Sequence, residues 1–198
     1  VRLVTDGHSQ LSAYCNPKGR MLAIMRLFKR DDAYFLQLPQ ALLEPTLKRL
    51  GMFVMRAKVK LQTEPGLVGI GVSGPDAAAH LEKIVGPCTH DVDASRTHNG
   101  ITVICLPGRS ARYMLLGAVA SLQPVWRQLT SHVTPVGAHA WRWLDIQAGL
   151  PTILPGTVEE FVPQMANLEL VGGVSFKKGC YPGQEIVARM HYLGRLKQ

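Results

Sequence analysis

The start of the chain carries short apolar stretches separated by polar turn residues. The stretches at 11–15 and 21–28 are rich in strand-forming residues, and Asn-Pro-Lys-Gly lies between them at 16–19. Pro presets φ in such a turn, and Gly supplies the left-handed position. A second turn at 29–32 leads into residues 34–38. The pattern predicts a β-hairpin followed by a third strand.

Helical spacing follows at 40–54, where Leu43, Leu47 and Leu50 share one face. Pro45 lies inside this window, so it either kinks the helix or marks its true start. Residues 56–61 then alternate between basic and apolar side chains. This alternation predicts a half-buried strand with a basic outer face.

Residues 65–137 show a separate alternation of predicted strands and helices. Strands are predicted at 67–72, 101–106, 113–116 and 133–138, and helices at 75–85 and 118–131. The order β-α-β-β-α-β is typical of the ferredoxin-like arrangement, so we expect an α+β fold with a compact subdomain here. Helical spacing returns at 141–149, residues 157–170 are predicted to be an irregular linker, and a last loop leads into a final helix.

The composition excludes several classes of protein. The 198 residues are 46% hydrophobic and 18% charged, too apolar for a disordered chain, and no uncharged apolar run is long enough to span a membrane. The cysteines form no CxxC motif and no close cluster with histidine, which argues against zinc-ribbon and disulfide-rich proteins. The histidines are scattered as well. We therefore expect a reducing, cytoplasmic compartment, structural thiols such as Cys105 in the core, and no metal site.

The formal net charge of +8 is unevenly distributed. Each of the windows 17–30, 48–60 and 177–198 carries five Lys or Arg residues. Such clustering suits an anionic partner, whether a phosphate, a polycarboxylate or a nucleic acid. Ordinary solvated faces remain the alternative, because no aromatic-rich motif interleaves the basic residues.

One segment combines a thiol with a helix start. It reads Lys-Lys-Gly-Cys-Tyr-Pro-Gly-Gln-Glu at 177–185. Pro182 is predicted as the first helical residue, where its missing N–H costs nothing. Gln184 is then placed to accept a hydrogen bond from the Tyr181 amide, as in half of a capping box.

Cys180 would then face the unpaired amides of this helix, with Lys177 and Lys178 just upstream. A thiol in such surroundings is biased toward thiolate, and the same amides can accept an anion. A tight loop with an incidental cysteine remains the alternative.

The segment 176–185 also matches a known signature, K-G-C-[FYW]-x-G-Q-E. It is that of the YgfZ-like folate-binding proteins, relatives of the T-protein aminomethyltransferase of the glycine cleavage system. Weaker matches occur in the family's order at 16–20, 56–59, 148–151 and 161–168. The chain thus resembles this family over essentially its whole length.

The resemblance implies a T-protein/YgfZ-like folate-binding fold. Residues 1–64 and 138–198 would form a discontinuous folate-binding domain that carries the signature, and residues 65–137 the ferredoxin-like subdomain. Family members have an earlier N-terminal segment and a C-terminal β-barrel. The resemblance therefore implies that this chain is a fragment in which the barrel is absent.

The resemblance further implies a folate-binding accessory protein for iron–sulfur cluster assembly or repair that affects cluster-dependent tRNA modification. Its cofactor would be tetrahydrofolate, with or without a polyglutamate tail. Its partners would be iron–sulfur proteins or assembly factors, with tRNA a further candidate and no membrane. The residues assigned to folate are Arg20, Lys178, Gly179, Cys180, Tyr181, Gly183, Gln184, Glu185 and Arg189. Candidates to stack on the pteridine ring are Trp143, Phe176 and Tyr181, and His191 is a further candidate to contact the ligand.

Cys180 is the candidate catalytic residue of this assignment. One cysteine cannot hold a cluster alone, because clusters use about four protein ligands. Cys180 could ligate a cluster transiently, with other ligands from a partner, or it could reduce or exchange a disulfide. The sequence leaves both roles open.

The chain also departs from the T-protein. The family's acidic pair after the first Gly-rich turn falls near Ala23 and Ile24, and the acid of its E-A-G segment becomes Gln147. The chain therefore lacks the carboxylates best placed for general acid–base catalysis on folate. This predicts a folate pocket without ordinary aminomethyltransferase activity. A folate-dependent one-carbon transferase and a basic RNA-binding scaffold remain the alternative functions.

Overall fold

The computed structural model describes residues 4–176, 179 and 181–194. Its strands are β1 Gln10–Cys15, β2 Met21–Arg30, β3 Ala33–Gln37, β4 Leu67–Ser73, β5 Ser95–His98, β6 Ile101–Leu106 and β7 Arg112–Ala118. Its α-helices are α1 Leu43–Gly51, α2 Ala77–Val85, α3 Val119–Thr130, α4 Ala138–Gln147 and α5 Gln184–Leu193. Single turns of 3-10 helix occur at Gln40–Leu42, Pro155–Thr157 and Pro163–Ala166.

The first three strands form an antiparallel sheet in the order β1-β2-β3. The predicted hairpin and third strand are confirmed, and so is helix α1, in which Pro45 lies in the first turn. The hairpin closes as the residue types indicate, because Gly19 takes a left-handed φ of +74° at the end of the turn. This turn is one wall of the site described below.

The second sheet has four antiparallel strands in the order β4-β7-β6-β5, and α2 and α3 contact it. The predicted α+β arrangement is confirmed, but the strand predicted at 133–138 is wrong. Residues 131–137 form a turn and coil, and the fourth strand is β5. Pro135 and Gly137 disfavour a strand at the predicted place. Asn99 and Gly100, both with positive φ, close a tight β5–β6 hairpin instead.

The predicted strand at 56–61 is also wrong. The structure has irregular backbone there, and residues 55–60 are all exposed. Alternation alone cannot make a strand, since each strand needs a neighbour to pair with. No strand in the described part of the chain pairs with this segment.

The two sheets share a small apolar cluster. Phe28 and Phe35 of the first sheet stack with ring centroids 5.3 Å apart and pack against β6 and β7 of the second. A partly buried ion pair adds a polar link, because the Arg26 guanidinium bonds both to the Asp93 carboxylate and, at 2.9 Å, to the Ser9 hydroxyl. The position of the first hairpin is therefore tied to the second sheet.

Helix α4 is held to the second sheet by an aromatic and an ionic contact. The Trp141 ring lies over Gly71, which has no Cβ to block it, and the Arg112 guanidinium lies 4.3 Å from the centre of that ring. Arg112 is buried and also bonds to the Asp145 carboxylate. Trp143, on the same helix, is exposed.

Within the described residues, no helix has both the length and the apolar character that a membrane crossing requires. The domain boundaries at 64/65 and 137/138 stay a prediction.

Candidate functional site

The hairpin turn at 16–20 and the signature turn before α5 meet through two glycines. Gly183 has φ +80°, and a Cβ there would lie 2.7 Å from the Gly19 Cα and also collide with the Asn16 carbonyl oxygen. A Cβ on Gly19 would in turn lie 3.1 Å from the Ile186 Cβ. Two motifs that are far apart in the sequence therefore touch backbone to backbone, which a side chain on Gly183 would prevent.

Asn16 organises the hairpin side of this contact. Its side-chain oxygen accepts hydrogen bonds from the Lys18 amide at 2.9 Å and the Arg20 amide at 3.0 Å. Its side-chain amide donates to the Glu159 carboxylate at 2.9 Å. Asn16 is buried, so these three bonds satisfy a polar group that has little access to water.

The segment 159–164 supplies the third part of the site. The Met21 amide donates to the Phe161 carbonyl at 2.8 Å, and the Glu159 amide donates to the Met21 carbonyl at 2.9 Å. The buried Gln164 amide donates to the Val187 carbonyl of α5 at 2.8 Å. The segment predicted as a linker is thus pinned both to the hairpin and to the signature helix.

An open cavity of about 580 Å³ lies beside this junction. Its lining residues are Asn16, Pro17, Lys18, Arg20, Arg49, Val158, Glu159 and Glu160. The Arg20 guanidinium donates to the carbonyl oxygens of Glu159 at 3.1 Å and Glu160 at 2.6 Å. The cavity therefore presents cationic donors and carboxylate acceptors side by side, and its size suits a small organic ligand.

The signature turn matches its predicted cap but not its predicted helix start. Gly183 is the N-cap and α5 begins at Gln184, so Pro182 lies in the turn rather than at the first helical position. The Gln184 side-chain oxygen accepts a hydrogen bond from the Tyr181 amide at 3.2 Å, as predicted. Lys177, Lys178 and Cys180 lie outside the described residues.

Tyr181 is half-buried between the signature turn and the first sheet. Burial raises the pKa of its phenol, and nearby Cys15 and Glu169 raise it further. A crevice of about 10 Å³ separates it from residues that include Pro163 and Gly173, which leaves no room for a pteridine ring there.

An aromatic and ionic cluster covers the C-terminal half of α5. The Phe176 and His191 rings stack with centroids 4.0 Å apart, and Tyr192 packs edge-on against both. The His191 ring lies 3.0 Å from the Glu169 carboxylate. Glu169 belongs to no recognisable sequence motif, so the sequence does not predict its role here. Its second carboxylate oxygen is buried and has no hydrogen-bond partner.

The remaining predicted site residues lie on exposed surface. Glu185 and Arg189 are exposed on α5, and Gly179 is exposed before it. Ala23 and Ile24 are buried in β2, where no carboxylate takes the place of the family's acidic pair. In the described chain, no group of three or more His, Cys, Asp or Glu side chains is arranged to hold a metal ion.

The basic windows are less uniform than the sequence indicates. Arg26 is buried against Asp93, and the Lys29 ammonium pairs with the Asp6 carboxylate at 2.8 Å, which raises the Lys29 pKa. Lys18 and Arg20 are exposed and line the cavity together with Arg49. Residues of the first two basic windows thus line the same cavity instead of forming separate charged surfaces.

Three cysteines lie within the described residues, and they differ in how far they are buried. Cys15 and Cys105 are buried, which confirms the core position predicted for Cys105. Burial raises the pKa of Cys88 to about 11, and the Glu82 carboxylate adds to the effect. Cys88 is therefore a protonated, weakly nucleophilic thiol at neutral pH.

Comparison with known proteins finds curated relatives for the whole chain. A "tRNA-modifying protein YgfZ" from Colwellia psychrerythraea (strain 34H) is 31% identical over 198 residues, all of this chain and 60% of the relative. A protein of the same name from Enterobacter sp. (strain 638) is 33% identical over 189 residues, 95% of this chain and 58% of the relative. The chain thus spans about 60% of the length of these relatives. No protein-family model matches it.

A solved structure shares the fold. The glycine cleavage system aminomethyltransferase T from Bartonella henselae superposes with a TM-score of 0.69 at 17% sequence identity, over 96% of this chain and 54% of that protein. The resemblance that the signature and its companion motifs indicated is thus confirmed: this chain is similar along its length to the YgfZ proteins, and it has the fold of the T-protein.

Proposed function

We propose that this chain binds a reduced folate and serves the assembly or repair of iron–sulfur clusters on which tRNA-modifying enzymes depend. Its curated relatives are named tRNA-modifying proteins, and its fold is that of an aminomethyltransferase. The whole relatives are longer than this chain, so the proposal concerns the part of their function that this chain carries.

The convergence of three sequence motifs at one junction carries this proposal. The hairpin turn, the segment 159–164 and the signature turn contact each other through Gly19, Gly183 and the Gln164 side chain. Residues that merely stabilised separate elements would have no reason to meet beside a cavity. The cavity is lined by the hairpin turn, Arg49 and residues 158–160, and the signature turn packs against the hairpin turn that lines it.

The cavity lining fits the chemistry of folate. Folate ends in a glutamyl tail, whose carboxylates suit the side chains of Lys18, Arg20 and Arg49. The pterin ring carries N–H donors, which suit the carboxylates of Glu159 and Glu160. When bound, folate would supply one-carbon chemistry, and the chain's own residues would hold and orient it.

The buried environment of β2 disfavours the transferase alternative. Ala23 and Ile24 carry no proton donor or acceptor in their side chains, and both are packed in the core. A one-carbon transfer assay with tetrahydrofolate is expected to show no turnover above background. Turnover would move this chain into the transferase class.

Calorimetric titration with tetrahydrofolate tests the binding site. Arg49→Gln is expected to weaken binding about 10-fold or more, because a charge-assisted hydrogen bond to a carboxylate contributes about 1.5–3 kcal/mol. Lys83→Gln, an exposed position on α2 away from the cavity, is the control and should bind as the wild type does. Equal affinity for both variants would place folate elsewhere, and no binding by the wild-type chain would contradict the proposal.

The role of Cys180 is tested in cells. Cys180→Ser is expected to abolish support of cluster-dependent tRNA modification, because serine is neither a soft iron ligand nor a thiol nucleophile. Cys88→Ser is the matched control, since the Cys88 thiol is protonated and its loss should leave modification unchanged. Mass spectrometry of the modified nucleosides provides the measurement. Full modification with Cys180→Ser would remove thiol chemistry from the proposal.

A further inference from the structure

The surface at residues 45–63 combines positive charge with exposed apolar side chains. It contains five basic residues and no Asp or Glu. They are Lys48, Arg49, Arg56, Lys58 and Lys60. No ion pair in the described part of the chain involves any of them. None of these charges is held in an ion pair, in contrast to Arg26 and Lys29 of the first basic window.

Apolar side chains stand among these cations. Phe53 is 63% exposed and Met55 is 88% exposed, and Met52 and Val59 are also largely exposed. Phenylalanine is usually buried, so an exposed ring beside unpaired cations needs an explanation. A solvated charged face does not provide one.

The backbone of this segment is bonded locally. The Phe53 amide donates to the Leu50 carbonyl at 3.0 Å, and the Val59 amide donates to the Ala57 carbonyl at 2.8 Å. Among the described residues, no backbone hydrogen bond ties 52–60 to a distant part of the chain. The segment can therefore adapt its backbone to an extended partner at little structural cost.

We propose that residues 52–60 form a binding surface for single-stranded RNA. Phosphates of such a strand would pair with Arg56, Lys58 and Lys60, and the Phe53 ring would stack on a base. Unpaired cations alone would suit any polyanion. The exposed aromatic ring among them favours a polyanion that carries flat rings.

This surface extends the proposed role in tRNA modification, but it stands apart from the folate site. Arg49 of the wider segment 45–63 lines the cavity, but Arg56, Lys58 and Lys60 do not, so the RNA surface at 52–60 shares no residue with the folate site. The two proposals can thus fail separately. If the chain binds folate but not RNA, only the proposal for this surface fails. If it binds RNA but not folate, only the proposal for the cavity fails.

Binding of a labelled 20-nucleotide oligouridylate, measured by fluorescence anisotropy at several salt concentrations, tests the surface. The variant Arg56→Gln/Lys58→Gln/Lys60→Gln is expected to bind more weakly. Its slope of log affinity against log salt should be smaller by about 2, because each phosphate contact to a single strand contributes about 0.7. The control Lys83→Gln/Arg127→Gln/Arg142→Gln removes the same charge from exposed positions elsewhere and should keep the wild-type slope.

Phe53→Ala separates stacking from charge. It is expected to lower the affinity about 5-fold or more with the salt slope unchanged, because stacking on one base contributes about 1 kcal/mol or more. Phe53→Tyr keeps a ring and should retain most of the affinity. Equal binding by the wild type and both triple variants would overturn the proposal. So would equal displacement of the RNA by a polyglutamate peptide or by phosphatidylserine vesicles, which would show a surface for any polyanion.

Discussion

At the scale of single residues, Gly183 is constrained twice. Its φ of +80° lies in the left-handed region that disfavours side chains, and the hairpin backbone occupies the space where a Cβ would stand. Either constraint alone would leave some substitutions tolerable. Together they make glycine the residue that fits this position.

Gly183→Ala is expected to destabilise the fold by about 2 kcal/mol or more, from backbone strain and the forced separation of the two turns. Urea denaturation followed by tryptophan fluorescence measures the free energy of unfolding. Gly156→Ala is the control, because a Cβ there meets nothing within 4 Å. Wild-type stability of Gly183→Ala would contradict the close contact between the turns.

At the scale of elements, the hairpin turn depends on Asn16. Its oxygen holds the amides of the turn, and its amide group holds the Glu159 carboxylate. An aspartate would keep the acceptor oxygen but replace the N–H donor by a second oxygen, which does not donate a hydrogen bond when the carboxylate is ionised. The two functions of the side chain can therefore be separated by substitution.

Asn16→Asp is expected to lower stability by about 3 kcal/mol at pH 7, because a carboxylate is buried against that of Glu159. Protonation of either carboxyl relieves this repulsion. The loss of stability is therefore small below about pH 4, where free carboxyls are protonated, and grows as the pH rises. Denaturation at several pH values measures it. Asn16→Asp/Glu159→Gln restores a donor and should recover most of the loss, and failure to recover would contradict the Asn16–Glu159 bond.

The elements themselves show where sequence patterns succeed. The hairpin at 11–28 and helix α1 were predicted because their turn residues and spacing act locally. The strand at 56–61 failed because its alternation says nothing about a pairing neighbour. Strand β5 was missed although Asn99-Gly100 is a strong hairpin signal, since its residues Ser95–His98 are polar and give no apolar pattern.

The candidate site was predictable in its parts but not in its assembly. The signature marked Gly183 and the Gln184 cap, and weaker motifs marked the hairpin turn and the segment at 161–168. Their contact was not readable, because it depends on a backbone approach between residues 19 and 183. Arg49 and Glu169 carry no motif, and their positions follow from the tertiary fold.

At the scale of the whole molecule, Arg26 links the first sheet to the segment that leads into the second sheet. It was counted among the clustered surface cations, yet it is buried and bonded to Asp93 and Ser9. Charge counts along a sequence cannot distinguish such a residue from a solvated one. The free cationic surface of this protein is accordingly smaller than its number of Lys and Arg residues indicates.

Arg26→Met is expected to destabilise the protein by about 3 kcal/mol, because it leaves the partly buried Asp93 carboxylate without its partner. Arg26→Met/Asp93→Leu should cost less than the two single changes combined, as expected for residues in direct contact. Arg127→Met, at an exposed site, should change stability by less than about 0.5 kcal/mol. Thermal denaturation of the four variants provides the comparison, and strict additivity would contradict the link.

The paired glycines of the two turns have a practical consequence for engineering. Main chain meets main chain there, so the exposed side chains beside the contact contribute little to how the turns fit together. Residues such as Lys18 and Glu160, which line the cavity, can be exchanged to alter ligand preference while the scaffold keeps its shape. A library that varies these positions and fixes Gly19 and Gly183 should yield folded proteins at high frequency.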